Sequence, residues 1–174
     1  MKWLQSVLAV VAASAVLQAG AQARPTVDYT DMWNDPDEPG WGISIRQKLP
    51  AGGTVDKLFA VWYTYDPRAL DPASPGGTGF VPLWLVLLSD DGTWSTPTTY
   101  TGKIYATVGT PFPQSWSPPA HDIQPVGTFR FRFTDAGNGV FDYSIVPPAD
   151  VPTTHPAFGL PAATGSKTIV RQSF

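Results

Sequence analysis

The feature that most restricts this chain is a five-residue alternation. In Phe129-Arg130-Phe131-Arg132-Phe133 every second side chain is a ring, and the residues between them are arginines. Only an extended strand sends successive side chains to opposite faces, so the rings share one face and the guanidinium groups the other. The same period over 41–47 puts Trp41, Ile43 and Ile45 on one side, with Ser44 and Arg46 opposite. Two further runs, 57–66 and 82–90, are apolar on both faces. They read as strands with a core on one side and aromatic packing, a ligand or a partner on the other.

Turn chemistry separates these runs. Gly and Asx residues at 51–54, 89–93 and 135–139 each stand between two strand-like segments, which predicts hairpins between sequence neighbours. Strands are expected near 41–49, 57–66, 82–89, 93–107, 126–134, 139–146 and 166–174, the fourth long enough to bend at Gly102. The fold class is therefore all-β: a single antiparallel meander of about 7–8 strands forming a small barrel, with a β-sandwich as the alternative. The 19 prolines concentrate in three stretches, 66–79, 109–122 and 147–165. These exceed the usual connection of roughly 4–6 residues and are where function or variation is expected.

Residues 1–23 have the form of a cleaved signal peptide: Lys2, an apolar run from Leu4 to about Leu17, then Ala21-Gln22-Ala23. The apolar run is short of the roughly 20 residues that a bilayer span needs, so no transmembrane anchoring is expected. Residues 24–174 would form one all-β domain, secreted or periplasmic. Cysteine is absent, which removes disulfides, thiolate catalysis and Cys-ligated zinc. A formal net charge of -3 without a basic run argues against nucleic acid. No cofactor motif is present, and oligomeric state is left open.

The segment 33–42, Trp-Asn-Asp-Pro-Asp-Glu-Pro-Gly-Trp-Gly, contains the chain's only glutamate, Glu38. It resembles a motif of secreted proteobacterial all-β proteins, Trp-Trp-Asn-Pro-x-Glu-Ser-Gly-Trp-Gly, matching at Trp33, Pro36, Glu38, Gly40, Trp41 and Gly42. Asn34, Asp35 and Pro39 depart from it. Blocks at 58–66, 82–87, 100–112, 126–145 and 166–174 are similar to later strands of the same family. The resemblance implies a secreted all-β module and carries no activity with it. The insertion 67–79 stands where that family has a short Gly turn.

Three chemistries fit the residues of 33–42. Asp35 and Asp37 are candidate ligands for a hard cation such as calcium, or acceptors of backbone N–H groups in turns. Glu38 is a candidate catalytic carboxylate of a hydrolase, or a structural group that ties the first turn to the last strand through Arg171 or Arg46. The third chemistry is stacking: Trp33, Trp41, Trp62, Tyr63 and Trp84, with Glu38, are candidate ligand-binding residues for an extracellular carbohydrate or envelope component. Core packing competes for the same rings and is expected to take Trp41 and either Trp62 or Trp84. His121 and His155 lie in separate loops and read as solvated. The leading expectation is a non-catalytic secreted β module that binds through aromatic residues. The alternatives are a carboxylate-dependent hydrolase using Glu38 and a structural or assembly component of the cell envelope.

Overall fold

The computed structural model describes residues 25–70 and 81–172. The leader and most of the insertion at 67–79 lie outside the described residues. Eight strands follow one another: β1 (Asp31–Asn34), β2 (Gly42–Lys48), β3 (Lys57–Tyr65), β4 (Pro82–Thr96), β5 (Thr99–Val108), β6 (Asp122–Phe133), β7 (Asn138–Ile145) and β8 (Ala163–Arg171). Each pairs antiparallel with the next, and β8 pairs with β1, so the sheet closes into a barrel and the sandwich alternative falls away. Among the described residues no helix is long and apolar enough to cross a membrane.

The alternation over 129–133 survives intact. Phe129, Phe131 and Phe133 point inward and are buried, while Arg130 and Arg132 stand outside and share the carboxylate of Asp142 on β7. Ile43 and Ile45 of β2, Leu58, Ala60 and Trp62 of β3, and Leu85 and Leu87 of β4 continue the inward set. An eight-stranded barrel has an interior just wide enough to be filled by side chains or to hold one small ligand. Here rings fill most of it. Tyr29 stacks on Phe133 with centroids 3.7 Å apart, and contacts continue through Phe131 and Phe141 to Trp62.

Several local expectations are corrected. The Asp-Gly group at 89–93 does not reverse the chain: β4 runs through it, and the turn to β5 comes at Pro97 and Thr98. Leu88 pairs with Lys103 and Thr93 with Thr101, so four residues of β4 oppose Gly102 alone, and the polar group is absorbed as a bulge. Gly92 is required there for close approach, since a Cβ would stand 2.2 Å from the Tyr100 hydroxyl. The expected bend at Gly102 is absent, because Gly102 lies within β5 opposite Phe129. β6 and β8 begin earlier than expected, at Asp122 and Ala163. The short β1 was missed because four residues bounded by Asp and Pro carry too little periodicity to be seen.

The meander fixes where the connections lie. Connections 35–41, 66–81, 109–121 and 146–162 all leave one end of the barrel; 49–56, 97–98 and 134–137 leave the other. The three Pro-rich stretches and the Trp-Gly motif, scattered in sequence, therefore share a single end.

Candidate functional site at the open end of the barrel

At this end the wall is completed by side chains. The β1–β8 ladder has two pairs, Trp33 with Arg171 and Asn34 with Val170, after which the chain turns away through 35–41. Asp35 makes that turn, accepting the N–H of Asp37 on its carboxylate (3.0 Å) and that of Glu38 on its backbone carbonyl (3.1 Å). Asp35 thus has the turn role that competed with a cation site. Among the described residues no three His, Cys, Asp or Glu side chains converge.

Glu38 sits beside β8. Its carboxylate is ion-paired with Lys167 and accepts the Trp41 indole N–H at 3.1 Å, while the Lys167 ammonium lies 4.8 Å from the Trp41 ring centroid. The tie between first turn and last strand exists, but its cation is Lys167, not Arg171 or Arg46. Arg171 instead reaches Asp31 at 3.5 Å and lies over the Trp33 ring. The hydrogen bond from Lys167, then its charge, hold the Glu38 carboxyl below the ordinary carboxylate range, with the Trp41 N–H adding to the effect. A carboxyl serving as proton donor in glycoside hydrolysis needs the opposite shift.

The five aromatic candidates divide by strand parity and position. Trp33 is fully buried, and Trp62 is 6% exposed, packed edge-on against Phe141. Tyr63, adjacent to Trp62, must face outward, where it pairs directly across from Trp84, which is 58% exposed. Trp62 and Trp84 therefore cannot share one platform. Trp41 is half-buried beside β8 and packs against the core rather than within it, whereas Trp33, Trp62 and Trp94 are the buried indoles.

In the described loops three exposed rings were missed as candidates, Phe112 and Trp116 in 109–121 and Phe158 in 146–162, with Phe112 93% and Trp116 69% exposed; on β3, Phe59 and Tyr65 are exposed as well. Their Pro-rich surroundings marked the loops but not which side chains would be displayed. Lys167 was missed although a signal existed: it lies two residues before the inward Ile169, hence on the inner side of β8. His155 corrects the solvated reading. It is buried, and its Nδ1 accepts the Ala157 N–H at 3.1 Å, folding 146–162 back against the barrel beside Val151 and Leu160. The chain matches no protein-family profile, no curated protein and no solved structure.

Proposed function

We propose that this protein is a secreted or periplasmic, non-catalytic β-barrel module that binds an extracellular carbohydrate or other envelope component through aromatic side chains at its loop-bearing end. One observation carries the reading: Tyr63, Tyr65, Trp84, Phe112, Trp116 and Phe158 are exposed, and topology assigns all six to the end where the four odd-numbered connections emerge. Large exposed apolar groups gathered in one region mark interaction surfaces. Flat rings beside hydroxyl-bearing and amide groups suit the apolar faces and polar edges of sugars. The leader-like residues 1–23 support an address outside the cytoplasm. Glu38, engaged by Lys167 and Trp41, has a structural place in this scheme.

The test is indole fluorescence during titration with soluble peptidoglycan fragments and β-linked oligosaccharides. Quenching that is lost in Trp84→Ala or Trp116→Ala, with the far-ultraviolet spectrum unchanged, is expected. A panel without response would reject the carbohydrate reading. A second reading, assembly with another copy or an envelope protein, is favoured by the outer face of β3 and β4, where Phe59, Val61, Tyr63, Trp84 and Val86 adjoin. Sedimentation showing a dimer that Phe59→Asp dissociates would select it.

A further inference from the structure

Arg68, Arg130, Arg132, Lys167 and Arg171 each have a carboxylate within ion-pair distance. Arg46, Lys48 and Lys57 have none among the described residues, and all three stand together on the outer wall of β2 and β3. Lys48 lies directly opposite Lys57 in the ladder, and Arg46 lies opposite Phe59 in the next outward row. Like charges directly opposite one another destabilise a sheet, and here they occur in a chain of net charge -3. Asp56 precedes Lys57, but its carboxylate accepts the Gln47 side-chain amide at 2.9 Å. Beside the three cations runs a groove of about 480 Å³, completed by Phe59, Pro50 and Ala51, and among the described residues no carboxylate lines it. Phe59 is 44% exposed and gives the groove one flat apolar side. The Lys57 ammonium donates to the Gly92 carbonyl at 2.8 Å, which fixes its position, leaves its charge unbalanced and keeps two further donors for a ligand.

We propose that this groove binds a phosphomonoester carried on a sugar-sized ring, with the phosphate held by Lys48, Lys57 and Arg46 and the ring laid against Phe59. Three cations without a carboxylate match more than one negative charge. A phosphomonoester brings about -1.5 to -2 at pH 7 and three strong acceptor oxygens, whereas a carboxylate brings a single charge and two oxygens. Directly paired residues have Cβ atoms roughly 4.5–5.5 Å apart, so both ammonium groups can reach one phosphate, and the guanidinium of Arg46 adds a planar, two-pronged donor. The groove is larger than a phosphate alone fills and falls within the roughly 300–1,000 Å³ of small-molecule clefts. The exposed ring suits the apolar face of a sugar. The groove shares no residue with the aromatic rim at the loop-bearing end, and a neutral oligosaccharide bound there leaves it unmoved. Phe59 alone is common to the assembly reading, and the lysine variants separate the two.

The experiment is calorimetric titration of the full chain at low ionic strength with glucose 6-phosphate, glucose and inorganic phosphate. Glucose 6-phosphate is expected to bind at one site, about tenfold or more tightly than either of the others. Lys48→Gln or Lys57→Gln should weaken it about tenfold, the loss of one charge-assisted contact, whereas Arg130→Gln makes the same change in net charge on β6 and should have no effect. Lys48→Glu places opposite charges across the ladder, so it should fold with a melting temperature at or above the native one and lose glucose 6-phosphate altogether. The proposal is overturned if glucose 6-phosphate does not bind the folded native protein, if glucose or inorganic phosphate binds as tightly, or if Lys48→Glu retains the affinity. An equal loss in Arg130→Gln would mean attraction by bulk charge and would also overturn it. So would capture by phosphatidic acid vesicles without binding of glucose 6-phosphate, which would assign the groove to a lipid headgroup.

Discussion

The two ends of the barrel are built from the same residue types used in opposite ways. At the end carrying 49–56, 97–98 and 134–137, rings other than Phe59 are interior: Tyr29, Trp33, Trp94, Tyr100 and Phe133 pack together, and both indoles donate to backbone carbonyls. Residues before β1 are strapped down there, Gln47 accepting the Tyr29 N–H at 3.0 Å and Thr30 accepting the Gln47 N–H at 2.8 Å. At the other end rings are displayed on the outer wall and loops, and the interior holds a cavity. One end is finished as core, and the other is left available for contact.

The largest effect should come from the filled end. Phe133→Ala removes the ring that contacts Tyr29, Trp33, Trp94 and Phe131, and should cost about 3–5 kcal/mol in urea denaturation. Trp84→Ala and Trp116→Ala, at the other end, should stay within about 0.5 kcal/mol of the native protein. Equal losses at both ends would erase the contrast.

Next in size is a packing test that sharpens it. Gly92→Ala drives a methyl into the Tyr100 ring at the filled end and should destabilise by about 1–3 kcal/mol. Gly52→Ala, in an open turn with no neighbouring atom within 4 Å but a φ of +73°, should lose only about 1 kcal/mol from backbone strain.

Smaller still is the charge network on the barrel wall between the ends. The Asp142 carboxyl is held well below its ordinary value, first by the Arg132 hydrogen bond, with Ser166 and Arg130 adding to it. As pH falls, the unfolded chain takes up the proton first, near the ordinary aspartate value of roughly 3.9. The contribution is therefore complete above that pH and is lost as pH falls toward the lower folded value. Asp142→Asn should reduce stability at pH 7 by about 1 kcal/mol and flatten the acid limb of the stability curve below about pH 4. The least stability change is expected from Glu38→Gln, which should leave oligosaccharide titrations largely intact while shifting the Trp41 emission.

How much of this was legible depends on whether the signal was local. Period-two alternation at 129–133 and 43–45 is a local property, and the inward faces follow it. So is the abundance of Pro and Gly that marked the loops. What the sequence could not show was set by pairing across the barrel. Asp90, Asp91 and Gly92 make a reversal signal, yet β5 pairs with β4 on both sides of them, and the ladder overrides the turn. Glu38 and Lys167 are 129 positions apart, so the identity of the cation depended on where β1 ends beside β8. Trp62 and Trp84 look alike in sequence, and only inter-strand register sends one inside and the other out.

The most direct measurement is residue-resolved NMR of the folded protein during titration with an oligosaccharide that quenches its tryptophans. Shift changes confined to 35–41, 66–70, 81–84, 109–121 and 146–162, with 49–56, 97–98 and 134–137 unmoved, are what a recognition surface at the loop-bearing end produces. Changes centred on the short turns, or spread evenly around the barrel, would contradict the division of labour between its two ends.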